Sequence, residues 1–203
     1  MIRSVTAAAL ALGLAAPLAA QETLSGDIFN TCIAGIPDKA ATEAQLVADG
    51  WTLLTDPADR AEALEILTQG FLPVSIPDAE TTAERLEGTE FALGFWQAQT
   101  DGRVLAAQGD IRLFIGASAS PDGKLLRIQC WAAGPEVPGV GTLLDESGQA
   151  VPVVAEMMLM EAGDEMTGGP GRNVIVMRQL GGEDMGLVAR EGMIVTNIFE
   201  LGQ

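Results

Sequence analysis

The sequence predicts an α+β fold in which N-terminal helices pack on a largely antiparallel sheet. Residues that cap helices are concentrated before residue 90, and alternating apolar runs separated by Asp-Gly turns follow them. Helices that precede a series of strands, instead of alternating with them, are typical of α+β proteins. We therefore expect one compact α+β domain over residues 21–203, with one disulfide.

Residues 1–20 have the pattern of a cleaved signal peptide. Arg3 supplies positive charge, the apolar run from Ala7 to Ala16 is too short to span a bilayer, and small residues lead up to Ala20. We place cleavage after Ala20, so that the mature chain begins at Gln21. No later segment is apolar enough to span a membrane. The sequence predicts a soluble periplasmic or secreted protein.

Charge and composition exclude several classes of function. The 203 residues carry 28 acids against 11 Lys and Arg, for a net charge of −17, which disfavours nucleic acid and anionic membranes as partners. The chain has no histidine, so Ser-His-Asp and Cys-His catalysis and histidine-bearing metal sites are impossible. We therefore expect a binding role and no cofactor.

The two cysteines, Cys32 and Cys130, predict one intramolecular disulfide. The bridge would close a loop of about 100 residues and stabilise the fold by roughly 3–5 kcal/mol in the chain-entropy model. Cys32 precedes a predicted helix and Cys130 lies in a predicted strand, so the bridge would join a helix to the sheet. The alternative is a redox or metal-binding thiol pair, which no Cys-x-x-Cys motif supports.

The first predicted helix runs from about Asp38 to Ala48, with Asp38 as its N-cap and Gly50 at its end. The segment Trp51–Leu54 follows as a short strand-like run.

Two further helices have clear start signals. Asp56 caps a helix whose first residue is a proline, and we expect this helix to end at Gln69 with Gly70 as its terminator. Thr81 and Glu84 form a capping box, which predicts a short helix over Thr81–Leu86.

The apolar period changes after Glu90. Phe91, Leu93 and Phe95 alternate with smaller or polar residues, which predicts a strand. Further strands are predicted over Val104–Ala107 and Ile111–Ile115. The turns that separate these strands are Asp101-Gly102, Gly109-Asp110 (a turn or a bulge) and Asp122-Gly123.

In the strand after Asp122-Gly123, Cys130 shares the core-facing side with Ile128. Arg127 and Trp131 lie on the other side.

The C-terminal third begins with a Pro/Gly-rich connector. Residues 134–148 are the best candidate for a sub-boundary inside the domain. Residues 151–162 combine helix-favouring and strand-favouring segments, and we favour helix. Strands are predicted over Asn173–Gln179, Gly186–Arg190 and Met193–Phe199, the last two around a Glu191-Gly192 turn.

Four side chains define a candidate binding surface. Trp96, Trp131, Arg112 and Arg127 are expected on the sheet face opposite the apolar alternation, where they would form an arginine-aromatic patch for a ligand or partner. The alternative is that a helix covers this face and that the arginines pair with carboxylates.

Met157, Met158 and Met160 form a second candidate site. Thioethers at these spacings suit a soft Cu(I) ion, although such a run is also common in packed cores. Acidic segments at 56–59, 145–146 and 181–184 are candidate Ca²⁺ loops, but none has the EF-hand pattern.

These patterns favour a non-catalytic binding or protein-interaction module of the periplasm, with an unidentified protein or small molecule as its ligand. One alternative is a cation handler that uses the methionines or the acidic loops. Another is a carboxylate-dependent hydrolase, which requires two facing carboxylates, one with a raised pKa.

Overall fold

The computed structural model describes residues 38–76, 79–98, 103–147, 155–163, 171–179 and 186–201. The predicted signal peptide at 1–20, Cys32 and the predicted Asp101-Gly102 turn lie outside these residues. The described helices are α1 (Lys39–Ala48), α2 (Pro57–Ser75), α3 (Thr82–Glu87), α4 (Thr89–Ala98) and α5 (Val140–Ser147). The described strands are β1 (Thr52–Leu53), β2 (Val104–Gln108), β3 (Ile111–Ala119), β4 (Leu125–Gly134), β5 (Ala155–Gly163), β6 (Gly171–Gln179) and β7 (Glu191–Glu200).

The strands form one sheet in the order β1-β2-β3-β4-β7-β6-β5, and every neighbouring pair is antiparallel. Helices lie against this sheet, so the predicted α+β class and its antiparallel sheet are confirmed. No helix within the described ranges is both long and apolar enough to cross a membrane.

Each face of the sheet has its own apolar core. On one face, which we call the α1/α5 face, Leu46 of α1 and Val140 of α5 pack with strand residues such as Leu113 and Val195. On the other, the α2/α4 face, Leu67 of α2 and Trp96 of α4 pack with strand residues such as Phe114 and Ile194. Both faces are therefore covered over part of their length, and this explains why β7 is buried at eight successive positions.

The predicted helix starts are confirmed by their hydrogen bonds. The Asp38 carboxylate accepts from the backbone N–H groups of Ala40 at 2.7 Å and Ala41 at 3.1 Å. The Asp56 carboxylate accepts from the N–H of Ala58 at 2.8 Å, and Thr81 and Glu84 make the full capping box. These caps satisfy backbone donors that a first helical turn leaves unpaired.

The predicted end of α2 was wrong, because Gly70 lies inside the helix. A Cβ at Gly70 would stand 2.5 Å from the Cβ of Ala133 and 3.0 Å from the carbonyl oxygen of Glu191. A Cβ at Gly192 would stand 2.7 Å from the carbonyl oxygen of Gly70. The two glycines therefore serve the close approach of α2 to β4 and β7. The helix continues through Pro73 to Ser75.

The predicted strand at Phe91–Phe95 was also wrong, because these residues belong to α4. Ala92 and Trp96, four residues apart, are buried, whereas Phe91 is 77% exposed. The buried side chains therefore follow the spacing of a helix, and the alternation of Phe91 and Leu93 does not correspond to a strand.

The C-terminal third differs from prediction at three points. The favoured helix within 151–162 was wrong: β5 pairs with β6 along its whole length, from Ala155 opposite Gln179 to Gly163 opposite Gly171. This pairing outweighs local helix propensity. Residues 186–190 are not a strand, and Glu191 and Gly192 lie within β7 instead of a turn.

The stretch expected to be a connector contains α5, which is tied to the sheet. Glu191, 4% exposed, accepts hydrogen bonds from the backbone N–H of Val137 at 2.7 Å and from Nε of Arg178 at 2.8 Å. Arg178 also approaches Asp145 of α5 at 4.0 Å. Because a buried carboxylate is stable only when paired, Glu191 holds this stretch against β6 and β7.

Candidate functional site

A concave space of about 320 Å³ lies at the end of the sheet where the β3–β4 turn is found. It is lined by Ser118, Ala119, Ser120, Pro121, Leu125, Arg127 and Ile198. This volume is at the lower end of the range for small-molecule sites. We call this space the β3–β4 pocket.

The strand register explains which side chains meet at the pocket. Ser118 of β3 is opposite Arg127 of β4, and Arg127 is opposite Ile198 of β7. Directly opposed residues on antiparallel strands share a face, so these three side chains form one row across the α2/α4 face. The pocket thus combines a cation, a hydroxyl and an apolar side chain.

The β3–β4 turn forms one wall and is held by its own side chains. The Ser120 hydroxyl donates to the Asp122 carboxylate at 2.6 Å and accepts from the N–H of Leu125 at 2.9 Å. The carboxylate also accepts from the N–H of Lys124 at 3.2 Å, and Gly123 has the positive φ of 71° that the turn requires. The predicted Asp122-Gly123 turn is confirmed.

These hydrogen bonds change the acidity of Asp122. The Ser120 hydroxyl, with a further contribution from the Lys124 backbone N–H, holds the pKa of Asp122 below its ordinary value of 3.8. Asp122 is therefore a charged acceptor that shapes the turn at neutral pH.

Within the described residues, the Arg127 side chain makes no hydrogen bond or ion pair, unlike several other cations in that part of the chain. Several of those have carboxylate or carbonyl partners: Lys39 with Glu43 at 3.8 Å, Arg60 with Leu54 at 3.1 Å, Arg112 with Glu62 at 3.6 Å, Lys124 with Asp122 at 3.7 Å and Arg178 with Glu191 at 2.8 Å. Acids outnumber bases by 28 to 11 in this chain. An exposed arginine without a carboxylate partner is therefore notable, and its donors remain available to a ligand.

The predicted aromatic surface is mostly covered, because Trp96 is buried and Trp131 is half-buried. The rings of Trp96 and Trp131 are perpendicular, with centroids 4.7 Å apart, and Trp96 is only 2% exposed. Phe71 of α2 stands edge-on to Trp131 at 5.1 Å, and Phe114 stands edge-on to Trp96 at 5.2 Å. These contacts are the favourable geometry for aromatic packing, so the two tryptophans join α2 and α4 to the sheet.

The structure separates the two predicted arginines. Arg112 is opposite Ala133, six residues along β4 from Arg127, which corresponds to about 20 Å. Its guanidinium donates to the carbonyl of Gly109 at 2.9 Å and approaches Glu62 of α2. Arg112 therefore stabilises the β2–β3 turn, which is the predicted Gly109-Asp110 turn, while Arg127 lines the pocket.

The three candidate copper ligands lie on β5. Met157 is in register with Met177, whereas Met158 and Met160 are in register with Val176 and Val174. Successive strand positions alternate between the two faces of a sheet, so the three positions do not share one face.

Within the described residues, no group of three or more Cys, Asp or Glu side chains is placed to hold a metal ion. Among the candidate Ca²⁺ loops, Asp56 is the N-cap of α2 and Asp145 lies near Arg178.

Sequence reasoning identified Arg127 but missed its neighbours Ser118 and Ser120. The Asp122-Gly123 turn was a usable signal, because a two-strand hairpin around it places Ser118 near Arg127. Ile198 could not be found in this way, because β7 is distant in the sequence from the strand it pairs with.

The fold and the pocket define the class of protein: an α+β protein with one antiparallel sheet and a cationic pocket at a sheet end. No protein-family model matches the chain, and no curated protein or solved structure matches it either.

Proposed function

We propose that this protein is a non-catalytic binding module of the cell envelope, and that the β3–β4 pocket binds the anionic group of its ligand. The observation that carries the proposal is Arg127, which lines the pocket and has no hydrogen-bond or ion-pair partner among the described residues. A guanidinium binds a carboxylate through two parallel N–H···O bonds, which fixes the ligand's orientation as well as its affinity.

The rest of the pocket supports a ligand with an apolar body. Pro121, Leu125 and Ile198 contribute apolar surface, and Ser118 contributes a hydroxyl beside Arg127. A few polar groups in a mainly apolar lining are typical of small-molecule sites. We therefore propose a small organic carboxylate as the ligand.

The test compares Arg127→Gln with Lys124→Gln. Each substitution removes one positive charge from the same hairpin. The two residues differ in that Lys124 is paired with Asp122. Titration with acetate, butyrate and hexanoate, followed by the backbone amide shifts of residues 118–127, measures binding directly. We expect saturable shifts in the unmodified protein and in Lys124→Gln, stronger for hexanoate, and a loss of at least about tenfold in affinity in Arg127→Gln. Equal affinity in both variants, or no saturable shift at all, would contradict the proposal.

The envelope location and the disulfide are part of this proposal. The signal-peptide pattern of residues 1–20 supports export. Cys130 is 2% exposed on the α1/α5 face, and the described part of the chain contains no free cysteine, which supports a bridge to Cys32. We expect the mature protein, unfolded without reductant, to resist alkylation by iodoacetamide. Addition of two carbamidomethyl groups before reduction would show that the bridge is absent.

A further inference from the structure

We infer that the ligand of the β3–β4 pocket carries two carboxylates, and that Arg103 binds the second one. This inference rests on the proposed function of Arg127. It adds a second anchoring residue and narrows the ligand from a carboxylate to an extended dicarboxylate.

Arg103 directly precedes β2 and extends across the neighbouring strand. Its Nη1 atom lies over Gly116 of β3, at the place where any Cβ would stand. Its Cζ atom is 6.0 Å from the centre of the Phe114 ring, which is the outer limit of a cation–π contact. The missing side chain of Gly116 therefore admits the guanidinium to the surface of the α2/α4 face.

The position of Gly116 places this guanidinium beside the pocket. Gly116 is opposite Gln129, and the next row on the same face is Ser118 opposite Arg127. Gly116 lies one strand across and two residues along from Arg127. The backbone positions of the two residues are therefore about 8 Å apart. The guanidiniums of Arg103 and Arg127 thus belong to adjacent rows of one sheet face.

Neither guanidinium is neutralised within the described chain. Arg103, like Arg127, makes no hydrogen bond or ion pair, and its contact with Phe114 leaves its N–H groups unused. Gln129, which lies between them on the sheet, is uncharged, and its side-chain amide donates to the Thr196 hydroxyl at 3.3 Å. Two like charges at this spacing repel each other unless an anion lies between or across them.

The positions of the two arginines favour one class of ligand. A ligand held at Arg127 by one carboxylate would reach Arg103 with a second carboxylate on an extended carbon chain, because the two residues meet the same sheet face in adjacent rows. The chain would pass over Gln129 and the edge of the pocket. An α,ω-dicarboxylate with a flexible methylene chain is the simplest molecule with these features.

The experiment is a chain-length series. Calorimetric titration with succinate, glutarate, adipate, pimelate and suberate should show a maximum of affinity at one length, at least about tenfold above the monocarboxylate with the same number of carbons. Arg103→Met should remove the maximum and leave the affinity for monocarboxylates unchanged. Arg127→Met should weaken both kinds of ligand.

Two further variants separate Arg103 from general effects. Gly116→Ala keeps Arg103 but occupies the space of its guanidinium, so it should also remove the length maximum. Arg112→Met removes a cation from the same face about 20 Å away and should keep the maximum. Thermal unfolding of each variant verifies that it is folded.

The outcomes distinguish the dicarboxylate inference from the proposed carboxylate site at Arg127. Affinity that does not depend on chain length, or that is unchanged in Arg103→Met, would overturn the dicarboxylate inference while leaving Arg127 as a carboxylate site. Failure of all carboxylates to bind, or binding that survives in Arg127→Met, would overturn both.

Discussion

The side-chain amide of Gln179 donates a 2.6 Å hydrogen bond to the backbone carbonyl of Gln69 in α2. This carbonyl would normally accept from the residue four positions later, but that residue is Pro73, which has no N–H group. The Gln69 side chain in turn accepts from the N–H groups of Val188 at 2.8 Å and Ala189 at 3.2 Å. A proline within α2 thus creates the acceptor through which the helix is attached to β6.

We expect Gln179→Leu to lower the free energy of unfolding by about 1–3 kcal/mol, because it leaves the Gln69 carbonyl without its partner. In a Pro73→Ala background the helix supplies its own N–H donor, so the same substitution should cost about 1 kcal/mol less. Urea unfolding of the four proteins in this double-mutant cycle measures the coupling. A coupling energy of zero would show that Gln179 does not replace the missing helical bond.

Gly70→Ala should lower the free energy of unfolding by about 1–3 kcal/mol, because the new methyl group would overlap Ala133 of β4. The matched control is Gly94→Ala in α4, where nothing lies within 4 Å of the added Cβ. This control should raise the free energy of unfolding by about 0.5–1 kcal/mol through helix propensity alone. Denaturant unfolding of both variants gives the sign of each change. Stabilisation by both would mean that α2 does not pack closely on the sheet at Gly70.

Arg85→Met should raise the free energy of unfolding by about 1–3 kcal/mol. Arg85 is 4% exposed, and its Nε and Nη1 atoms are buried without a hydrogen-bond partner in the described part of the chain. Desolvation lowers the pKa of Arg85, yet arginine stays protonated at neutral pH, so two nitrogens of a charged guanidinium are buried without a partner among the described residues.

Arg60→Met is the matched control for Arg85→Met. Arg60 donates to the carbonyl of Leu54 at 3.1 Å, so its removal should not stabilise the protein. Chemical unfolding at constant pH and salt measures both variants. A loss of stability in Arg85→Met would indicate that the guanidinium has a partner in the folded protein.

Asp122 should give the β3–β4 turn a pH dependence below about pH 4. Its folded pKa lies below 3.8, so the unfolded chain binds the proton more readily than the folded protein does. The stabilising contribution is therefore complete above pH 3.8 and is lost as the pH falls through the lower folded pKa. Carbon-detected NMR titration of the Asp122 carboxyl group measures this pKa. In Ser120→Ala the value should return towards 3.8, and an unchanged value would exclude the Ser120 hydroxyl as the main cause.

Local chemistry determined the parts of the fold that were predicted correctly. The starts of α1, α2 and α3 depend on Asp38, Asp56 and the Thr81–Glu84 pair, and each cap bonds only to backbone within four residues of itself. The Asp122-Gly123 turn is equally local, because its hydrogen bonds stay within residues 120–125. Interactions of this range can be inferred from a short segment of sequence.

Interactions between distant segments determined what could not be predicted. Gly70 is typical of a helix end, but its contact with Ala133 and Glu191 places it inside α2. Residues 155–163 favour a helix locally, yet β6 provides a complete set of pairing partners for a strand. In both cases the free energy of packing or pairing with remote residues exceeds the small local preference.

The properties of the candidate site also fall into those set by local sequence and those set by the tertiary structure. The sequence by itself determined the acidic charge, the absence of histidine chemistry and the hairpin that carries Ser118 and Arg127. Only the tertiary structure decided that the buried Trp96 packs against the half-buried Trp131 and that Arg103 lies over Gly116. The physical reason is that exposure and the pairing of charges depend on which distant elements cover a surface, and short-range sequence patterns do not contain that information.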